Sequence, residues 1–276
     1  MAVVPSKIIA AASLALLLGS CAPMSWQKHS MDGSRTGVTA VTGADVDRAL
    51  GALTDSSYIA PNGREFALES STARAAAALI GVQPGMAYLK EVLAQCPRGM
   101  SKYQPESELA NWSADLARTI VERYFSCKVD LSIMNTGGIR VDMPEGDVLL
   151  DDILSMFPFH NAYVCLELKG SDVLKAFEHM AETGFAAVSG VKVVASDRKI
   201  VSLEIGGEPL DPERWYTLAT IDFLLDGGDG YFLGEGARNL RATPWDLKEY
   251  AVAYLRELGK AGIPIEAQIE GRVTII

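Results

Sequence analysis

The stretch VKVVASDRKIVSLEI, residues 191–205, constrains the fold more than any other. Two runs rich in valine and isoleucine are joined by Asp-Arg-Lys, a connection of hairpin length. Strands joined so closely pair antiparallel, because a parallel pair needs a crossover of roughly a dozen residues or more. Around this hairpin the pattern is helical. Residues 106–125 place Leu109, Trp112, Leu116, Ile120 and Tyr124 at helical spacing, which makes one apolar stripe. SDVLKAFEHMAET predicts a helix capped by Ser171. TPWDLKEYAVAYLRELGKAG predicts another, capped by Thr243, with Pro244 at its first position and Gly262 at its end. VDLSIMN, NAYVCLEL, WYTLATIDFLL and IEAQIEGRVTII read as strands, and GDVLLDDILSMF as a short helix or strand-to-helix passage closed by Pro158. Upstream, DVDRALGALT and SSTARAAAALIGVQ read as helices. Hairpin-paired strands mixed with helices give an α+β, or mixed α/β, fold rather than a purely parallel sheet.

The chain has 276 residues, enough for one large domain or a main domain with a small one. A net charge of −10 argues against binding to nucleic acid polymers or anionic membranes at large. It leaves room for a local cationic pocket that takes a phosphorylated small molecule. At the N-terminus, Lys7 precedes an apolar run over residues 8–18. That run is shorter than the about 20 residues a membrane span needs, and it has the layout of an export signal. Leu18-Gly19-Ser20-Cys21 resembles the end of a bacterial lipoprotein signal. The expectation is a signal peptide over residues 1–20, a lipid on Cys21, a Ser/Gly/Thr-rich tether over residues 21–44 and a domain over residues 45–276. This places the protein at the bacterial cell envelope, held by its lipid on the periplasmic or outer-surface face. The alternative is a plain signal peptide cut at a neighbouring small residue. With Cys21 acylated, Cys96, Cys127 and Cys165 remain, so at most one disulfide can form. Cys165, inside AYVCLEL, reads as a buried small hydrophobe.

Three loops carry candidate chemistry. NTGGIR, residues 135–140, joins a glycine pair to Arg140. Glycines let backbone N–H groups approach an anion, and arginine offers a planar fork. On this loop alone, a tight turn with a surface arginine is the better reading. FPFHN, residues 157–161, projects a ring and an amide from a proline-fixed backbone, or else buries a phenylalanine pair. DFLLDGGDGYFLG, residues 222–234, sets Phe223 and Asp229 on a glycine turn, or else is a bare Asp-Gly hairpin. Together the loops supply an arginine, two aromatics, an amide and a carboxylate. Those are the parts of a purine-nucleotide site, where rings stack on a base, a carboxylate accepts from ribose hydroxyls and arginine holds phosphate.

Taken in order, NTGGIR, FPFHN, LKGSDVLKAFEHM, VSGVKV and GEPLDPERWYTLATIDFLLDGGDGY resemble the C-terminal domain of the 5'-nucleotidase / UDP-sugar hydrolase / 2',3'-cyclic phosphodiesterase family. The resemblance covers residues 106–276. It implies layered sheets with flanking helices and a domain that holds the nucleoside part of a substrate. By motif position, Phe159 and Phe223 sandwich the base, Asn161 contacts it, and Asp229 binds the ribose hydroxyls. Asn135 and Arg140, with Gly137 and Gly138 in the same loop, face the sugar or phosphate. Thr136 stands where the family motif has a further glycine, which narrows the freedom expected at that turn. Ala110 stands where the family helix has glycine. No arginine stands in GMSKYQPESELANW, where the family has one. Lys102 replaces it as a point-charge phosphate contact, with Arg98 a second candidate.

Complete members of the family carry a metallophosphatase domain with Asp-x-His and Gly-Asn-His-Glu motifs that hold two metals. This chain has only His29, His160 and His179, with no metal-ligand spacing. The resemblance therefore implies no catalytic residue and no cofactor on this chain, with divalent metals only on a partner. Three functional readings result. The first is the substrate-specificity half of a split 5'-nucleotidase, active in nucleotide catabolism with a separately encoded metallophosphatase. The second is a surface lipoprotein that binds nucleosides or nucleotides without catalysis. The third, an unrelated hydrolase using Asp222, Asp226, Asp229 or His160, lacks a visible nucleophile–base pair.

Overall fold

The structure is a computed structural model and describes residues 46–276, so the signal peptide, Cys21, the tether and His29 lie outside the described residues. The chain begins with α1 (Val46–Leu50), a meander of β1 (Ala52–Leu53), β2 (Ser57–Ile59) and β3 (Glu65–Ala67), then α2 (Ser71–Val82) and a 3₁₀ segment, Gln83–Lys90. β4 (Val92–Cys96), α3 (Glu108–Phe125), β5 (Leu131–Met134), β6 (Gly146–Leu149), α4 (Leu150–Met156), β7 (Ala162–Lys169) and α5 (Gly170–Thr183) follow. The rest is β8 (Ala187–Ser189), β9 (Val191–Ser196), β10 (Lys199–Ile205), β11 (Glu208–Pro209), β12 (Trp215–Ile221), β13 (Arg238–Asp246), α6 (Leu247–Ala261) and β14 (Val273–Ile275). Tyr58, Ala73 and Ala76 form a small core of their own under the first meander, apart from the main core.

The hairpin of β9 and β10 forms as expected, one residue tighter than Asp-Arg-Lys. Ser196 pairs with Lys199, and Asp197 (φ 49°) and Arg198 (φ 62°) make the turn. Both are left-handed, which matches the twist of the flanking strands. This hairpin belongs to a four-stranded sheet ordered β11-β10-β9-β14, antiparallel except that β14 runs parallel to β9. A five-stranded sheet, β13-β7-β12-β5-β8, is antiparallel except at β12–β5. The fold is thus mixed α/β with layered sheets and flanking helices. α3 lies on the five-stranded sheet, and α5 touches both β7 and β10 and so bridges the two sheets. In the α3 stripe, Leu109, Trp112, Leu116 and Ile120 are buried. Tyr124 is not; it stays half exposed and meets Tyr250 edge-on at 5.5 Å. Ser107 caps α3 by accepting the Ala110 N–H at 3.2 Å.

Two helix starts differ from expectation, and in both a tertiary partner replaces the local cap. α5 starts at Gly170, not after Ser171. The N–H groups of Gly170 and Ser171 donate to the carbonyls of Arg214 and Pro212 at 2.8 and 2.9 Å. Gly170 is required there, because a Cβ would sit 2.0 Å from the Asp211 carbonyl oxygen. Thr243 and Pro244 lie in β13 instead of starting a helix. The Thr243 hydroxyl accepts from the Tyr163 N–H at 3.1 Å and donates to the Trp245 carbonyl at 3.2 Å. α6 starts at Leu247, whose N–H donates to the Asn161 carbonyl at 2.7 Å. That bond ties α6 to the FPFHN loop.

One buried charge network closes the chain. Arg272 is 7 % exposed and makes a fork to Asp115 at 2.7 and 2.9 Å, with a further bond to the Val188 carbonyl at 2.9 Å. Glu106, also buried, accepts from the Asn111 amide at 2.7 Å and from the Glu270 N–H at 2.8 Å. Buried charges persist only when paired in this way. The network fastens the approach to β14 against the start of α3.

Candidate functional site

Topology brings the three loops together. β5 and β12 are parallel neighbours, so the loops that leave them, at Asn135 and Asp222, emerge at the same end of the sheet. β7 is antiparallel to β12, so the loop that enters it, ending at Asn161, arrives at that end as well.

The first loop is a 3₁₀ turn, Thr136–Gly138, with Asn135 extended before it. No residue of the turn is left-handed, so Thr136 sits where a glycine was expected without strain. The glycine that matters is Gly138: a Cβ there would fall 2.7 Å from the Asn135 Oδ1. Freed of that clash, the Asn135 amide donates to the Asp229 carboxylate at 3.0 Å, linking the first loop to the third. Lys102 donates from Nζ to the Thr136 carbonyl at 3.0 Å and to the Ile139 carbonyl. Its ammonium clamps the loop, with one N–H left over. Arg140 is exposed, donates to the Gly137 carbonyl at 3.0 Å and holds its guanidinium 5.8 Å from the centre of the Phe159 ring. Arg98 lines a separate depression with Glu108 and Ile265.

The second loop divides its two phenylalanines. Phe157 is 5 % exposed and stacks on Trp112 at 6.4 Å and 22°. It is core. Phe159, two residues on, is 48 % exposed and lines the cleft. His160 points away, pairing through Nδ1 with Asp246 at 2.6 Å and not with Asp222, Asp226 or Asp229. Burial pushes the Asp246 carboxyl up, but the bonds from His160 and Lys248 together outweigh it and hold the group below its ordinary value. Asn161 is half-buried beside Phe159. Its side-chain amide makes no hydrogen bond to another described residue.

The third loop is not a bare hairpin, since β12 and β13 do not pair with each other. The strand ends at Ile221, and Phe223 stands in a short 3₁₀ turn, Asp222–Leu224, anchored by the fully buried Leu224. Gly227 is left-handed at φ 102°. Gly228 approaches so closely that a Cβ would lie 1.9 Å from the Phe223 carbonyl oxygen. Asp229 is itself left-handed at φ 49°. Its main-chain carbonyl accepts from His179 Nε2 at 3.0 Å, and the His179 ring meets Tyr231 edge-on at 4.8 Å. His179 lies in the helix that SDVLKAFEHMAET predicts, and nothing local marks a contact made to a loop 50 residues away.

The Phe159 and Phe223 rings, each about half exposed, do not touch each other or another ring among the described residues. Below Phe159 a recess of about 10 Å³, floored by Met134, Gly138 and Phe157, has room for about one water. On the far side of Asn135 and Asp229 a hollow of about 250 Å³ is walled by Gln104, Thr183, Phe185 and Tyr231. Among the described residues no group of three or more His, Cys, Asp or Glu is placed to hold a metal ion. The donor set that two catalytic metals require is not built from them.

The family model described as 5'-nucleotidase, C-terminal domain, matches residues 86–235. The chain belongs to this family. Among curated relatives, an apyrase of Tabanus yao is 33% identical over 171 residues, 54% of this chain and 30% of that protein. Protein UshA of Yersinia enterocolitica is 36% identical over 107 residues, 37% of this chain and 20% of that protein. A 5'-nucleotidase precursor from Thermus thermophilus superposes with a TM-score of 0.65 at 27% identity, over 74% of this chain and 43% of that one. Haemophilus influenzae NAD nucleotidase shares the fold at a TM-score of 0.53 and 19% identity, over 79% of this chain and 47% of that one. This 5'-nucleotidase C-terminal domain thus spans a fifth to a third of the length of these curated relatives.

Proposed function

We propose that this domain grips a nucleoside or nucleotide in the cleft between Phe159 and Phe223. Asn161 reads the base edge. Asp229, steadied by Asn135, accepts from the ribose hydroxyls, and Arg140 with the spare N–H of Lys102 meets the phosphate. One observation supports the reading: the half-exposed Phe159, the unpartnered Asn161 amide and Asn135 line one recess, and Asn135 ties it to Asp229, whose loop also carries the half-exposed Phe223. Stacking is worth roughly 1–3 kcal/mol per base in comparable single-strand systems. Hydrogen bonds to a charged group add about 1.5–3 kcal/mol each. Hydrolysis belongs to a metallophosphatase on a separate chain, which makes the protein the specificity half of a split 5'-nucleotidase in nucleotide catabolism. A lipid on Cys21 would keep the protein at the bacterial envelope, and the mass of the mature N-terminal peptide tests this.

Calorimetric titration with adenosine, AMP and UDP-glucose tests the grip; three null titrations would remove it. Metal-dependent phosphate release from AMP by the pure chain would overturn the split. Mixing with a partner metallophosphatase then decides between a split enzyme, which gains rate or specificity, and a binding lipoprotein, which gains neither.

A further inference from the structure

The structure singles out one pair among the cysteines at Cys96, Cys127 and Cys165. Cys96 is fully buried, and its thiol donates to the Arg98 carbonyl at 2.9 Å. Cys127 and Cys165 face each other, with sulfurs 3.7 Å apart. Cys165 sits mid-strand in β7, paired with Ala219 on one side and Arg241 on the other, so its backbone is fixed. Cys127 lies just past the end of α3, where Ser126 is left-handed, and is only half-buried. The Arg241 guanidinium comes within 3.6 Å of the Cys165 sulfur while resting over the Phe125 ring at 4.6 Å. A fixed cation at that sulfur stabilises a thiolate when one forms.

We propose that Cys127 and Cys165 are a site of covalent modification, at which a disulfide forms when the protein meets a disulfide oxidant. The Cys127 thiolate, the more accessible of the two, attacks one sulfur of the oxidant, making a mixed disulfide and releasing a thiolate. The Cys165 thiolate then attacks the Cys127 sulfur, forming the internal bond and expelling the second thiolate. The two thiol protons go to the departing thiolates, and the two electrons leave with the reduced oxidant. Burial pushes the Cys165 thiol up to about 11, so its thiolate is scarce and the first attack falls to Cys127; the second attack is intramolecular, across 3.7 Å. The bond closes a loop between residues 38 apart, and that loop contains Asn135, Gly138, Arg140, Phe159 and Asn161. The link therefore pins together both ends of the segment that carries two of the three site loops, independently of what the site binds. From the entropy of a loop this long, the linked chain should melt roughly 8–16 °C above the reduced one.

The test equilibrates the full chain, first fully reduced, with oxidised glutathione. Unreduced proteolytic peptides are then mapped by mass spectrometry, and thermal unfolding is recorded. The expected result is a joined pair of peptides bearing Cys127 and Cys165, lighter by the mass of two hydrogens, with the rise in melting temperature. Cys127→Ser should melt alike with and without oxidant. Cys165→Ser should hold glutathione on Cys127; should burial of the serine prevent folding, the wild-type map and Cys127→Ser decide. The proposal fails if both thiols stay free or carry separate glutathione adducts, if the link involves Cys96, or if the linked chain melts no higher.

Discussion

Phe157 and Phe159 are two residues apart in one short loop, and the structure gives them opposite work. Truncating each to alanine separates a core ring from one proposed to face a ligand. Phe157 is 5 % exposed and stacked on Trp112, so Phe157→Ala opens a cavity. Such changes cost about 3–5 kcal/mol. At roughly 2–4 °C per kcal/mol for a domain of this size, the melting temperature falls by roughly 6–20 °C. Phe159 is 48 % exposed and leaves no enclosed void when cut back. Full burial of a phenylalanine is worth about 1.5–3 kcal/mol, so half burial is worth about 1 kcal/mol, or roughly 2–4 °C. Its cost should appear in binding instead. Loss of one base-stacking face removes about 1–3 kcal/mol, which is roughly a 5- to 150-fold rise in Kd. Thermal unfolding and calorimetric titration with adenosine and AMP read both quantities on the same samples. If Phe159→Ala lowers the melting temperature as much as Phe157→Ala and leaves Kd for AMP unchanged, Phe159 is core and the clamp does not exist.

Four other perturbations separate the parts of the molecule. Gly138→Ala places a Cβ 2.7 Å from the Asn135 Oδ1 and should break the Asn135–Asp229 bond; about a tenfold loss of AMP affinity is expected by titration, with little change in melting. His179→Ala should weaken binding through Asp229, and His179→Gln, which keeps a side-chain donor, should recover part of it; equal binding by all three proteins would show that the contact positions nothing. Arg272→Met removes the bond to the buried Val188 carbonyl and the fork to Asp115, and should lower stability by about 2–4 kcal/mol in urea titration, with nucleoside affinity preserved. Asp246 has a folded pKa below its unfolded one, so its contribution is present above about pH 4 and is lost as pH falls through the folded value. Acid unfolding followed at the start of α6 should accordingly be less steep below about pH 4 in Asp246→Asn.

Elements with a regular apolar period were legible because a single surface decides their pattern. The α3 stripe and the β9–β10 hairpin are of that kind, and both sit where the periodicity put them. β13 is different. Its residues are mostly exposed, it carries Arg238, Asn239 and Pro244, and it runs along the edge of its sheet, where proline is tolerated. No alternation reveals such a strand, so Thr243 and Pro244 read as a helix start. Ser171 misled for a related reason. The carbonyls that serve α5 come from Pro212 and Arg214, far along the chain, and no local spacing announces them.

The site shows the same division at finer scale. Glycine pairs, a proline-fixed aromatic and a stranded carboxylate advertise three loops, because turn chemistry is local. Which of two neighbouring rings is core and which is exposed is not local; Trp112 claims Phe157 and leaves Phe159 half exposed. Nor is the aim of Asp229. A non-glycine residue held left-handed carries a conformational cost that its surroundings must offset. Here the surroundings are visible: Gly228 against the Phe223 carbonyl, Gly230 against the His179 ring, the His179 donor on the Asp229 carbonyl and the Asn135 amide on its carboxylate. Four contacts from three separate elements hold one carboxylate beside one exposed ring. A turn that existed only to reverse the chain would need none of the last two, and their presence is the strongest structural reason to read Asp229 as a group kept ready for a ligand.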